Sequence, residues 1–229
     1  MRLELFVKDR ASLCTSARQL INFGACGLNI PHKDKQSDPL EAVRALGTVL
    51  PPQVMREVVP HYSLKFGFGG SPAKTLAQFE TFCEGMTQLE SPPRQVLLVS
   101  GAGSRKFDSV ELLRAMTLPR SAAPEIGVAF NPFFPERAAR ERERARMRLK
   151  LGTGRVSAVW LQIGSDVDLL RDALGFLESL ATERSSSFRI YGSIFIPSRQ
   201  LLARMKFRPW NGVFLSEEYL CAACSHAAL

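Results

Sequence analysis

The sequence predicts one closed parallel α/β barrel, (β/α)8, over residues 1–229, and three observations carry that prediction. Short apolar runs alternate with helical stretches along the chain, the pattern of a parallel sheet with helices packed outside it. Eight such runs occur, the number that closes a barrel. No G-x-G-x-x-G follows the first of them, so the fingerprint of an open, dinucleotide-binding sheet is absent.

The expected strands are LELFV (3–7), CGLNI (26–30), VVPHYSL (58–64), QVLLVS (95–100), IGVAF (126–130), VSAVWLQ (156–162), FRIYGSIFI (188–196) and GVFL (212–215). Helices are expected at 11–23, 39–50, 72–88, 108–117, 136–151, 167–181 and 198–206. Two helix starts carry strong signals: Asp38 before Pro39 with Glu41 close behind, and Ser71 before Pro72. The closing stretch 216–229 is short for a full final helix.

Composition narrows the class. Hydrophobic residues make up 45% and charged residues 23%, as in globular domains. No uncharged apolar run reaches the ~18 residues of a transmembrane helix, and Glu4 and Asp9 interrupt the opening apolar run, against a secretory signal. The five cysteines (14, 26, 83, 221, 224) form no disulfide framework, which points to a reducing, intracellular compartment, cytoplasmic or mitochondrial. The net charge of +8 is half concentrated in PERAARERERARMRLK (135–150), with seven basic and three acidic residues. Its arginines are spread around the helix and interleaved with Glu141 and Glu143, which reads as a solvated face. No zinc-finger, RNP-type or recognition-helix motif is present, so neither nucleic acid nor a membrane is an expected partner. Cys221, Cys224 and His226 could ligate zinc, but no fourth ligand is evident, and free thiols at a helix end are the preferred reading.

In barrels of this kind, chemistry gathers at the carboxyl ends of the strands. Those ends are polar or glycine-rich here: Glu4, Asn29 and His32, His61 with Ser63 and Lys65, SGAGS (100–104), FNPFFPE (130–136) and Gln162. Polar groups at successive strand ends point to a common pocket.

These fragments, in order and spacing, resemble the methylenetetrahydrofolate reductases, flavin-dependent (β/α)8 barrels. The resemblance rests on LELF (3–6), VPHYS (59–63), VSG (99–101), AFNPFFPE (129–136), the spaced Glu143 and RLK (148–150), LQIGSD (161–166) and GSIFIPS (192–198). It implies Glu4 as the catalytic carboxylate and Gln162 as the residue that binds the folate pterin. It further implies FAD contacts from His61, Ser100, Gly101, Phe130, Phe134, Glu143 and Lys150. The implied reaction is reduction of 5,10-methylenetetrahydrofolate to 5-methyltetrahydrofolate, with NAD(P)H delivering hydride through FAD. The chain departs from the family pattern at Ser100 and Ala102 in the VSGA turn, and at Phe130 and Phe134, where the reductases commonly carry polar groups. The alternative is therefore a barrel of the same family that has lost the reaction and serves as a binding or assembly subunit, with 136–151 as a contact surface and an oligomer or larger assembly as its context.

Overall fold

The computed structural model describes residues 1–5, 9–101, 107–195 and 198–226, with side chains as far as Ala222. Seven strands lie in sequential order, β1 (Arg2–Glu4), β2 (Gly27–Ile30), β3 (Val58–Ser63), β4 (Gln95–Val99), β5 (Glu125–Phe130), β6 (Val156–Leu161) and β7 (Arg189–Tyr191). The strands are parallel, with helices between them, which is the (β/α)-barrel arrangement expected from the alternating pattern. The eighth expected strand, 212–215, does not form. Phe214 makes a single parallel bridge to Gly164, and the chain enters the helix Glu217–His226 soon after. The seventh expected strand, 188–196, forms only at Arg189–Tyr191, and 192–195 are not strand; residues 6–7 of the first and 196 of the seventh lie outside the described residues.

The helices begin where the side chains dictate. In α1 (Arg10–Asn22) the Asp9 carboxylate accepts from Ser12 N–H at 2.8 Å. In α2 (Pro39–Gly47) Asp38 accepts from Leu40 N–H at 2.8 Å, and in α4 (Pro72–Thr87) Ser71 accepts from Lys74 N–H. A short helix α3 (Pro52–Met55) precedes β3. In α5 (Ser109–Ala115) Asp108 and Glu111 form a reciprocal capping box. Then come α6 (Arg137–Gly152), α7 (Val167–Glu183), α8 (Arg199–Phe207) and α9 (Glu217–His226), with a 3-10 turn at Arg120–Ala122. Asp166 and Ser198 cap α7 and α8 in the same way.

Two compact units are present, one comprising Met1–Val128 with Thr153–Val156, the other Ala129–Gly152 with Ser157–Leu229. In the first, alternate strand residues Leu5, Leu28, Ile30 and Val58 join Leu13 and Ala17 of α1 and Val43 and Leu46 of α2 in one buried cluster. Burial of each such large side chain stabilises the fold by about 1.5–3 kcal/mol. Farther along, Tyr62 of β3 packs against Phe79 and Phe82 of α4 with ring centroids 4.9 and 5.1 Å away. The segment after α5 is clasped from both directions. Glu80 accepts the N–H groups of Thr117 and Leu118, while Arg155 donates to the carbonyls of Leu118 and Met116 at 2.9 and 2.6 Å. In the second unit, Phe130 packs on Phe176 of α7, and Trp160 stacks on Tyr191 with ring centroids 4.1 Å apart.

Candidate functional site

Strand periodicity decides which residues of the first unit are available for chemistry. Leu5, Leu28, Ile30 and Val58 face the helices, so the residues between them on the same strands face the other way. The register pairs Glu4 with Asn29 and Asn29 with Val59; His61 follows Val59 by two and shares its face. Glu4, Asn29 and His61 therefore lie on one face of three adjacent strands. With strands about 4.8 Å apart and a rise of about 3.3 Å per residue, Cα of Asn29 is about 5 Å from that of Glu4 and about 8 Å from that of His61.

Each of the three carries an unusual environment. Asn29 Oδ1 and His61 Nε2 are buried atoms with no hydrogen-bond partner among the described residues. Leaving such groups unpaired costs about 1–3 kcal/mol each. Burial drives the His61 imidazole down to a pKa of about 4, so the ring is neutral at physiological pH. Glu4 is open to solvent along part of its surface, yet the atoms packed around the rest raise its carboxyl above the ordinary value, with the Lys33 ammonium pulling it back. Lys33, in turn, is lowered by partial burial, opposed by Asp34 and Glu4.

The loop after β2 completes this corner. His32 Nδ1 accepts from Ser63 N–H at 3.3 Å, and its ring meets Tyr62 and Phe66 edge-on or tilted. An accepting Nδ1 leaves the proton on Nε2 in the neutral ring. Burial lowers His32 as well, opposed by Asp34. On the helix side of β2, a cleft of about 250 Å³ lies between the starts of α1 and α2, lined by Asp9, Ile30, His32, Lys33, Asp38 and Ala45 among others. Lys33 thus borders the cleft and interacts with Glu4. Among the described residues no group of three or more His, Cys, Asp or Glu side chains could hold a metal. The side chains of Cys224 and His226 lie outside the described set, while Cys14, Cys26, Cys83 and Cys221 are not in disulfides.

Most of the positions expected to touch a flavin are otherwise engaged. Phe130 is fully buried against Phe176 on the helix side. Phe134 packs on Phe214. Lys150 is buried, and its Nζ donates to the Ala129 carbonyl at 2.7 Å, with Glu143 at 3.9 Å and Glu143 at 3.4 Å from Arg146. A buried ammonium held by a backbone carbonyl is not presented to a cofactor phosphate. Ser100 Oγ donates to Ser109 Oγ at 2.9 Å and accepts from Ser109 N–H at 3.2 Å, bracing the start of α5. Gly101, at φ 80°, is needed because a Cβ there would lie 2.6 Å from Lys65 Cβ. Ala102 lies outside the described residues. Gln162 finds its partner next door: Oε1 accepts from Ile163 N–H at 2.9 Å, while its own N–H continues the ladder to Phe130. Of the expected site residues, only Glu4 and His61 share one face of the described first unit. Asn29 and His32 stand out in sequence as polar strand ends; Lys33, masked by its position just beyond a Pro-His pair, does not.

No protein-family model matches the chain, and no curated protein does. Solved structures do resemble it. A dipeptide epimerase from Methylococcus capsulatus, complexed with a Mg ion, aligns with a TM-score of 0.53 at 10% identity, covering 94% of this chain and 55% of that one. The N-acetylneuraminate lyase from Mycoplasma synoviae gives 0.51 at 10%, covering 97% and 70%. A protein assigned as a phosphonomutase, from Burkholderia cenocepacia J2315, gives 0.52 at 16%, covering 99% and 91%. The chain spans little more than half the length of the epimerase. At these identities the likeness is one of fold. It corrects the resemblance drawn from short fragments: the neighbours are an epimerase, a lyase and a phosphonomutase-type protein, none a methylenetetrahydrofolate reductase. With that family go its expected FAD, NAD(P)H and folate, and the degenerate family member offered as the alternative. Fragments such as VSG and LQIGSD match because strand ends of any parallel barrel carry small and polar residues. No described helix is long and apolar enough to cross a membrane.

Proposed function

We propose that this chain is an acid–base enzyme of the barrel class that moves a proton to or from a carbon atom of a small polar substrate. The observation that carries the reading is the face shared by Glu4, Asn29 and His61, on which two buried polar atoms have no partner among the described residues. Glu4 is the proton-transferring group. A carboxylate whose pKa is raised by the atoms packed around it is a stronger base than an ordinary one. Lys33 supplies positive charge beside it, where negative charge would develop on a substrate oxygen as the proton leaves carbon. The bond that breaks is C–H; its electron pair passes into the adjacent carbonyl, and the proton goes to the Glu4 carboxylate until it is returned. The epimerase and the lyase named above use the same fold, which supports an enzymatic reading without assigning their substrates to this chain.

The test is hydrogen–deuterium exchange at carbon. Incubated in deuterated buffer with a panel of small carbonyl compounds and carboxylic acids, the protein should catalyse deuterium incorporation next to the carbonyl of at least one member, read by proton NMR. Glu4→Gln should slow that exchange by about 10²-fold or more, the usual scale for losing a general base. Absence of catalysed exchange across the panel, or unchanged exchange in Glu4→Gln, would overturn the reading.

A further inference from the structure

The geometry points to a hydroxyl group on the substrate, held between Asn29 Oδ1 and His61 Nε2 beside the carbon that Glu4 addresses. This rests on the acid–base reading of the same face. Asn29 Oδ1 can only accept, so whatever meets it must bring a hydrogen. His61 is the second constraint. Its ring is neutral, so Nε2 either donates one hydrogen or accepts one, and it carries no net charge to attract an anion. A carboxylate or phosphate oxygen would have no hydrogen for Asn29. An ammonium would serve Asn29 but only the one tautomer in which Nε2 carries no hydrogen. A hydroxyl has both a hydrogen and lone pairs, and it satisfies either tautomer of the histidine. The spacing suits a single small group: the two residues share one face of neighbouring strands with Cα atoms about 8 Å apart.

The position of Glu4 sets what is attached to that oxygen. Glu4 is the direct cross-strand neighbour of Asn29, so the carbon bearing the hydroxyl, or the one next to it, lies closest to the carboxylate. Lys33, which interacts electrostatically with Glu4, is placed for the anionic or carbonyl end of the same molecule. The substrate class is thus a short α-hydroxy acid or α-hydroxy ketone. Asn29 and His61 would determine specificity: a site built to hold a hydroxyl penalises an analogue that lacks it, because its buried polar atoms then stay unpaired.

Binding of matched pairs tests this separately from turnover. The probes are lactate against propionate, glycerate against 3-hydroxypropionate, and hydroxyacetone against acetone, each titrated into the full chain and followed by ligand-observed NMR. In at least one pair the α-hydroxy member should bind about 10-fold or more tightly, and it should shift the His61 side-chain nitrogen resonance while its partner does not. Asn29→Leu and His61→Phe, each shown folded by circular dichroism, should bring the two members of that pair to within about 2-fold. Equal binding within every pair, absence of binding by all six, or a preference that survives both substitutions would overturn the inference; the wild-type comparison stands if either variant fails to fold. Preference without deuterium exchange at carbon would remove the acid–base reading and keep the hydroxyl site. Exchange without any preference would do the reverse.

Discussion

Lys150 of α6 and His61 of β3 each carry a buried nitrogen, and the chain treats the two in opposite ways. Lys150 is 4% exposed, and its ammonium has a carbonyl at 2.7 Å and a carboxylate at 3.9 Å. His61 Nε2 and its neighbour Asn29 Oδ1 are buried with no partner among the described residues. The first pattern is that of a structural cation, whose desolvation is offset in place. The second is a standing cost to stability that a fold keeps only where something else gains by it. The lesson is that burial of a polar group says little about function; whether its hydrogen bonds are made says a good deal.

The largest expected effect tests the structural half of that contrast. Lys150→Met should destabilise the protein by about 3 kcal/mol, because it leaves the Ala129 carbonyl and Glu143 with a partner removed in a buried setting. Urea denaturation measures this, and a loss under about 1 kcal/mol would mean Lys150 is not structural.

Acid should expose the other half. The folded His61 titrates near 4, below the ordinary 6.5, so between those values the unfolded chain binds a proton that the folded chain refuses. Stability should therefore fall as pH drops from about 6.5 to 4, by on the order of 3 kcal/mol at most. His32, also lowered, acts in the same sense; Glu4, with its carboxyl raised, acts in the opposite sense in its own range. In His61→Phe the dependence over that window should shrink to what remains from His32 and the carboxylates. Denaturation midpoints at pH 4.5 and 7 give the comparison, and an unchanged dependence would place His61 in a wetter, charged setting.

Gly101 sharpens the contrast further, since a glycine at a strand end reads equally well as a ligand cradle or as a packing requirement. Here the close neighbour is Lys65, and φ is 80°. Gly101→Ala should cost about 2 kcal/mol, from the left-handed backbone and the contact together. A neutral substitution, seen as an unshifted thermal midpoint, would show that the backbone relaxes there.

The smallest expected effect has the opposite sign. Asn29→Leu and His61→Phe, singly, should raise stability by about 1 kcal/mol, because each replaces an unpaired buried polar atom with an apolar one. A substitution at a purely structural polar residue would lower stability instead, so a fall of more than about 1 kcal/mol in both would assign these two to the core.

Much of the architecture was legible in the sequence. Seven of the eight expected strands formed at least in part, the first and seventh as three residues each, because short apolar runs bounded by turns favour strands, and Asp38 and Ser71 announced their helices through their caps. GVFL failed as an eighth strand. A four-residue apolar run says nothing about whether its backbone groups find a neighbouring ladder, and here only Phe214 does. Of the candidate site, the sequence exposes Glu4 and His61 as polar residues that break an apolar strand. What it does not show is how Lys150 in α6 and Phe130 and Gln162 at strand ends are engaged, because a sequence reveals neither which way a side chain turns nor whether a neighbour already satisfies it. Gln162 illustrates the limit: its amide oxygen bonds to the very next residue. Lys33 carried no signal, since a lysine in a loop is ordinary until its carboxylate neighbour is known.

The clasp around residues 116–118 has a consequence for a broken chain. Arg155 reaches carbonyls 37 and 39 positions earlier, while Glu80 grips the same segment from the upstream side. A protease cutting at the exposed turn 120–122 would sever the covalent path between them without touching either grip. The β4–β5 ladder spans the same break, from Gln95–Glu125 to Leu98–Val128. Cleavage at that turn would therefore yield two pieces that stay associated, a nicked species that separates only under denaturing conditions, and the same turn is a natural place to divide the protein into complementing fragments.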